Sequence, residues 1–393
     1  MDQEVIISGG GPVGLMLAMG LAEQGKQVTL VEALAEQAAQ NSSFDGRVLA
    51  LTLGSQEALH ALGLWSSLLP FVEPILHVHV SQKGYLGMTK IHASELNVPA
   101  LGYSITAEDL GQVLWQAVTA HPKITVMRPA KVVDFEMAAD HVAVNIETSD
   151  QVKSVTAKLL VGADGTQSQV RQVLGLPMEE KSYHAFGLIA KVETERKPEG
   201  WSFERFTTEG PVALLPMGGF SSKAVLVCPE SDVTHYLDMN DAAFMQAFAA
   251  KMGERLGRYT AISPRVAYPL KESYVPQMTQ GRAVLMGNAS HTQHPVAAQG
   301  LNLGIRDVAE FLQQVADEPD PGQPKMLEQY AAKRRVDHEK VMGMTDGLIQ
   351  IFQTPSPIAG HLRGLGLMAV QALPPLKKRF ARFAMRGVHA SGK

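Results

Sequence analysis

The sequence predicts an α/β protein in which a Rossmann-like parallel sheet is interleaved with a second, antiparallel sheet, with C-terminal helices to follow. Three observations predict it. The chain opens on EVIISGGGPVGLMLAMGLAEQGKQVTLVEA, a strand–turn–helix–strand unit with glycines at its turn. Two further apolar strands, in KLLVGADG (158–165) and RAVLMGN (282–288), run into loops where open α/β sheets place ligand contacts. Between them HAFGLIAKVET, GWSFERFT, GPVALLPM and SKAVLVC read as successive strands of a separate sheet.

Bulk composition allows this size of fold. At 393 residues the chain has room for two domains or one interleaved pair, and 45% of it is hydrophobic, ample for a core. A formal net charge of −4 provides no general basic field for nucleic acid. Cys228 is the single cysteine, which excludes an intramolecular disulfide framework and fits a reducing, cytoplasmic setting; within AVLVCP it reads as a buried strand residue. The acidic start MDQE lacks the basic region of a secretion signal, and no run of roughly eighteen uncharged apolar residues is present to span a membrane.

Taken in order, Val5, Ile6 and Ile7 form a short apolar strand of the doubly covered kind, and Gly9, Gly11 and Gly14 give GxGxxG. Gly9 suits a tight turn, Gly11 a close approach to a pyrophosphate, and Gly14 close helix–strand packing. Leu15 to Gln24 has helical spacing, so a helix N-terminus would present free N–H groups to the phosphates. The second strand ends in Glu32, placed to accept hydrogen bonds from a ribose. These residues imply an adenine dinucleotide and leave FAD and NAD open. Arg47, in NSSFDGRVLALTL, could reach the phosphates or serve as a solvated loop residue. Helices are expected at Ser55 to Leu64 and, containing Gln112, at Ile105 to Ala120; Thr125 to Glu147 alternates as a hairpin turning at AADH. Asp164, at the end of its strand, suits either a ligand contact or a helix cap.

GNASHTQHPVAAQG (287–300) raises the question of metal or cofactor. His291 and His294 lack a third ligand nearby in the chain, and Pro295 favours a turn, so no metal is expected. Gly300 opens a helix whose N-terminal dipole points back at whatever the loop holds, and that dipole favours the negative charge of a reduced isoalloxazine. In the tail, Leu373, Leu376, Phe380 and Phe383 form one helical stripe with Arg379, Arg382 and Arg386 beside it. No acidic residue follows Arg363. Such a helix suits an anionic membrane surface or a partner.

GGGPVG with Glu32, GADG (162–165) and GNASHTQHPVAAQGLNLGIRD (287–307) occur in the order that marks FAD-dependent aromatic hydroxylases. With LTLGSQEALHALGLW (51–65), FERFTTEGPVALLPM (203–217) and GMTDGLIQIF (343–352), the chain resembles the ubiquinone-biosynthesis hydroxylases, most closely the 2-polyprenyl-6-methoxyphenol hydroxylase type. The resemblance covers nearly the whole chain.

It implies a Rossmann-like FAD-binding domain (1–75, 100–180 and 270–345) interleaved with an antiparallel-sheet substrate domain (76–99 and 181–269), then a helical, basic amphipathic tail (346–393). By resemblance, Gly9, Gly11, Gly14 and Glu32 hold the ADP half of FAD. Arg47 and Gln112 contact pyrophosphate and ribityl chain, and Asp164 serves FAD and the nicotinamide donor. Pro295, Gly300, Leu301 and Asn302 lie against the isoalloxazine, mostly through backbone groups, and Gly287-Asn288 match the motif that accepts a ribityl hydroxyl. Asn288 stands where most of the superfamily has aspartate, which keeps an acceptor oxygen and loses its charge. The implied chemistry is reduction of FAD by NAD(P)H, oxygen addition giving a flavin C4a-hydroperoxide, and hydroxyl transfer to the phenol ring of a polyprenylated ubiquinone precursor. His291, His294 and Tyr183 are candidates for the phenol's base, with Pro295 against the ring. The partners implied are the prenyl phenol, oxygen, the inner face of a membrane, and a biosynthetic complex or second subunit. A prenyl-lipid reductase and a non-catalytic flavoprotein subunit are the rivals; a halogenase is disfavoured because Trp65, Trp115 and Trp201 are scattered.

Overall fold

The computed structural model describes residues 3–35, 47–293, 299–353 and 356–387. Five parallel strands form the first sheet's centre: β1 (Gln3–Ser8), β2 (Val28–Val31), β8 (Ile124–Met127), β11 (Val152–Gly162) and β19 (Ala283–Leu285), in the order β19-β11-β1-β2-β8. Val5, Ile6 and Ile7 are wholly buried, as a strand covered on both faces requires. The helix α1 (Pro12–Glu23) begins with proline, whose missing N–H costs nothing in the first turn. It is buried nearly all round, between the sheet and two further helices, α3 (Ala107–Ala120) and α6 (Gln299–Val315).

A meander of β9 (Ala130–Met137) and β10 (Val142–Thr148) extends the sheet antiparallel to β11, and β18 (Thr279–Gln280) pairs antiparallel with β19. The hairpin expected from Thr125 therefore divides. Residues Ile124–Met127 join β2 in parallel, and the hairpin starts after Pro129, which has no N–H to give a ladder. A small sheet of β3 (Val48–Thr52), β4 (Glu73–Ile75) and β7 (Gly102–Thr106) packs beside α2 (Leu53–Ala61).

The second sheet has nine strands. β5 (His77–Gln82) and β6 (Met88–His92) adjoin β13 (Trp201–Phe206), β14 (Pro211–Pro216), β15 (Ser221–Pro229) and the long β12 (Glu179–Thr194). β16 (Tyr259–Ile262), β17 (Val266–Tyr274) and β20 (His291–Thr292) complete it. The expected boundary at 270 thus falls inside β17, and residues 270–274 and 291–292 pair in the antiparallel sheet. The β12–β17 ladder decides this, because β17 pairs with β12 on both sides of a register shift between Ser182 and Phe186.

The two faces of this sheet differ. Phe203, Val212, Leu214, Ala224, Leu226 and Leu188 are buried under α5 (Asp241–Met252), with Phe244 and Phe248 facing them. The alternate positions Ala213, Leu215, Val225 and Ile189 are only half-buried, although they lie in the sheet's interior strands. This central face of the sheet is thus left half-open.

The chain closes with α4 (Gln169–Val173) already behind it and three helices ahead: α7 (Pro324–Gln353), α8 (Pro357–Ala372) and α9 (Pro374–Arg386). On α9, Lys377, Ala381 and Met385 face inward, Lys377 to Glu95 at 2.8 Å, while Leu373, Leu376 and Phe380 face out. Arg386, expected beside the stripe, is held by Glu57 at 2.5 Å. On α8, Gly360 and Gly364 lie against the turn after β5: a Cβ would meet the Tyr85 ring at 2.2 Å in one case and the Leu86 carbonyl at 2.0 Å in the other. Gly364→Val should therefore push α8 off the hairpin and cost about 1–3 kcal/mol. A lower urea midpoint at unchanged slope would register it.

Candidate functional site

Local geometry explains each glycine of the first turn differently. Gly9 adopts φ +110, and its carbonyl oxygen would lie 2.0 Å from a Cβ on Gly14, so α1 can start this close to β1 only with glycine there. Gly11 has no such internal reason. No atom of the described residues lies within 4 Å of where its Cβ would be, on the open side of the α1 N-terminus. That space suits a diphosphate approaching backbone N–H groups.

Glu32 closes the turn: its carboxylate accepts from Gly10 N–H at 2.6 Å and Leu34 N–H at 2.8 Å, leaving lone pairs for ribose hydroxyls. Trp115 of α3 packs against the same turn, with the Arg128 guanidinium 4.3 Å from its ring centre. Sequence reasoning passed over both residues, since an isolated Trp on a helix and an Arg before proline carry no motif. Gln112 is exposed on that helix, and Arg47 lies 5.4 Å over the Tyr268 ring.

At the other end, Asp164 caps α4, accepting from Gln169 N–H at 2.9 Å and Val170 N–H at 3.2 Å. Its other oxygen is buried with no hydrogen-bond partner among the described residues, and burial pushes its carboxyl up. An orphaned acceptor in a cleft wall fits a ligand that brings a hydroxyl or amide. Asn288 is exposed on the turn Gly287–Ala289, and at Gly300, in the first turn of α6, no atom of the described residues lies within 4 Å of where a Cβ would be. Leu301 is half-buried against the main core.

Asn302 turns its side chain inward. Its side chain is fully buried; it accepts from Thr52 N–H at 2.8 Å and Ser55 Oγ at 2.6 Å, and donates to the Ala50 carbonyl at 2.8 Å. An amide carries both donor and acceptor, which the strand-to-helix corner at Thr52 needs, so this side chain locks α6 to β3 and α2, and the flavin contact expected at Asn302 falls to its main chain. His294 and Pro295 lie outside the described residues.

His291 enters a buried network. Its Nε2 lies 2.6 Å from Asp307, whose other oxygen meets His338 Nε2 at 2.9 Å and Arg334 Nε at 2.7 Å. Asp307 also accepts from Gly287 N–H at 3.2 Å, and Asp337 pairs with Arg306 at 2.9 Å and Arg334 at 2.8 Å. The fold thus supplies the second and third ligand-type residues that the chain near His291 lacks. Both histidine nitrogens point at the carboxylate at hydrogen-bond distance, and Arg334 occupies the same oxygen as a fixed cation. The set is an ion-pair network in its chemistry. The spacing of Arg334 and His338, four apart on a helix, was the one available signal.

Burial would raise the Asp307 carboxyl, but His291, Arg334 and His338 outweigh it and hold it well below its usual range. Burial, with the charge of His291, lowers His338 to about 4. Tyr183 is no candidate base: burial and the two carboxylates it donates to, Glu272 at 2.5 Å and Asp346 at 2.6 Å, push its phenol far up.

The family model of the FAD binding domain matches residues 2–345. The chain is 33% identical to ubiquinone hydroxylase UbiL of Rhodospirillum rubrum, over 97% of this chain and 89% of that one. It is 32% identical to the 3-demethoxyubiquinol 3-hydroxylase of Escherichia coli, over 97% and 98%. The chain belongs to the ubiquinone-biosynthesis family of FAD-dependent hydroxylases. Its fold is that of p-nitrophenol 4-monooxygenase PnpA from Pseudomonas putida, with a TM-score of 0.81 over 98% of this chain and 99% of that one at 16% identity.

The chain is a flavin-dependent aromatic hydroxylase, and Asp307 braces the segment after β19 at both Gly287 and His291. Asp307→Asn would leave Arg334 and both histidines around a neutral amide. It should cost about 3–5 kcal/mol, read as a fall in thermal midpoint with loss of bound flavin absorbance. Acid should weaken the wild type through the same group. Below about pH 6.5 an unfolded histidine takes up the proton that folded His338 refuses until about pH 4. Stability present at neutral pH is therefore lost as pH falls through that window, by on the order of 3 kcal/mol, and His338→Gln should flatten melting temperature against pH there.

Proposed function

We propose that the enzyme hydroxylates the phenol ring of a polyprenylated ubiquinone precursor, with 2-polyprenyl-6-methoxyphenol as the substrate. The observation that carries this reading is the half-buried apolar face of the second sheet, Ala213, Leu215, Val225 and Ile189, turned toward the FAD-binding half. An aromatic head and its prenyl chain match such a wall, which also keeps water from the reacting ring. Gly9, Gly11, Gly14, Glu32, Arg47, Gln112 and Asp164 would hold the adenine, pyrophosphate and ribityl parts of FAD. Asn288 would accept a ribityl hydroxyl, while Gly300, Leu301 and the main chain of Asn302 would line the flavin ring, the α6 N-terminus favouring the reduced, anionic form. Bound FAD would take electrons from NAD(P)H, which binds transiently near Asp164, and activate oxygen for transfer to the ring.

The Escherichia coli relative's name supports a second reading, in which the ring is a demethoxyubiquinol. Supplying short-chain versions of both rings with NAD(P)H and oxygen separates the two. Product from the methoxyphenol is expected; product from the demethoxyquinol alone would move the substrate one stage along, and NAD(P)H oxidation without oxygenated product would favour a reductase. Glu32→Ala should weaken FAD binding by at least about tenfold, since a charged hydrogen bond is worth about 1.5–3 kcal/mol, and flavin fluorescence titration measures it.

No helix of the described residues is long and apolar enough to cross a membrane. The outer faces of α8 and α9 nonetheless expose Ile358, Leu362, Leu365, Leu373, Leu376 and Phe380, with Lys378, Arg379 and Arg382 exposed among them. No acidic residue follows Asp346. This surface would rest in the headgroup layer of an anionic membrane, where a prenyl substrate is dissolved. Flotation should show binding to vesicles with anionic lipid and not to neutral ones, with Arg379→Gln and Arg382→Gln each weakening it about fivefold. Self-association of the same face in place of vesicle binding would mark a subunit contact.

A further inference from the structure

Residue alternation on β13 sends Phe203 and Arg205 toward α5, where Arg205 donates to the Met252 carbonyl at 3.1 Å. Ser202, Glu204 and Phe206 therefore lie on the other face. The registers carry Glu204 across the sheet: it stands opposite Ala213, which stands opposite Val225, which stands opposite Ile189. On its other side it stands opposite Val80 of β5. That row belongs to the half-open face, and its neighbours show where the face looks. Lys223 reaches the Val48 carbonyl at 2.5 Å, and Tyr268 lies beneath Arg47. Both Val48 and Arg47 belong to the segment that leads out of the first domain.

Glu204 is the one ionisable group on this row. It is half-buried and has no hydrogen-bond partner among the described residues, and burial alone pushes its carboxyl up. A carboxylate on an apolar wall costs stability, so its presence calls for a use. The charged and titratable groups on or beside the same face are Lys223 and Lys191, Tyr268, Arg47, Glu73 beside Gly218, and Arg363 beside Gln82. None of them hydrogen-bonds to Glu204, which leaves its oxygens for a substrate.

We propose that Glu204 is the base that activates the ring hydroxyl, an inference that rests on the substrate reading above. The O–H bond of the phenol breaks with its electron pair left on the ring oxygen, and the proton forms an O–H bond with a Glu204 carboxylate oxygen. Negative charge on the ring oxygen raises electron density at the carbon that accepts the new oxygen atom. Once that carbon has released its hydrogen as a proton to solvent water and the ring is aromatic again, Glu204 returns its own proton to the ring oxygen. Oxygen and NAD(P)H supply the oxidant and reductant, one oxygen atom leaving as water. A carboxyl lifted toward neutrality by burial suits the task, since a base works best with its pKa near the working pH.

The test compares wild type with Glu204→Gln and Glu204→Asp, as full-length flavoprotein, on the short-chain prenyl methoxyphenol. Flavin reduction by NAD(P)H in the presence of substrate, and hydroxylated product, are each followed from pH 5 to 10. In Glu204→Gln, reduction should proceed at the wild-type rate while product formation falls at least about 100-fold at neutral pH. The loss should shrink as pH approaches the phenol's own ionisation, and Glu204→Asp should restore part of it. Wild-type product formation should fall on the acid side at a pH above the ordinary carboxylate range, and that limb should vanish in Glu204→Gln. A Glu204→Gln enzyme with the wild-type rate and acid limb would overturn the assignment, as would a loss equal at every pH or a variant that cannot retain FAD. Failure of the wild type itself on every prenyl phenol and quinol would instead overturn the substrate reading, and this assignment with it.

Discussion

One carboxylate holds the two halves of this enzyme in register. Asp307, fully buried on α6, bonds the Gly287 turn that follows β19, His291 on β20 of the second sheet, and Arg334 and His338 on α7. Four elements from distant parts of the chain therefore meet on two oxygen atoms. In a low-dielectric interior such a network is strong only when every member is present, which makes it a rigid brace and a point of failure together. The first turn of α6 is fixed from its other side by Asn302, whose amide reaches β3 and α2. The helix α6 is thus held near its start by Asn302 and further along by Asp307.

Against that fixed frame the second sheet has two unlike faces. One is sealed by aromatic packing under α5; the other stays half-open above the FAD-binding half. The sheet acts as a wall whose outer side supplies stability and whose inner side is left for a ligand. β5 and β6 come from a different stretch of chain than β12 to β17, so two separate segments build that sheet. The C-terminal helices then cover the β5–β6 hairpin through close glycine contacts, and present an apolar, basic surface outward.

Much of this was legible in the residues. Val5 to Glu32 declared its strand, turn and helix because the constraints are local: a buried strand must be apolar, and Gly14 must lack a Cβ to let the helix start against Gly9. Alternation gave the strands of the second sheet for the same reason, since side-chain direction has period two whatever the partner. The amphipathic stripe on α9 was visible too, although spacing alone could not say which face turns inward, and Lys377, Ala381 and Met385 take that place.

The sequence by itself determined the architecture, the FAD-binding turn and the family, because each rests on contacts within about thirty residues or on the order of motifs along the chain. Only the tertiary structure decided that His291 has Asp307 and His338 for company, that Asn302 is a brace, that Tyr183 is bound between two carboxylates, and that Glu204 stands without a partner among the described residues on the half-open sheet face. Those facts depend on which strands pair and which helix faces oppose, and pairing between distant segments leaves no period in a single sequence to be read.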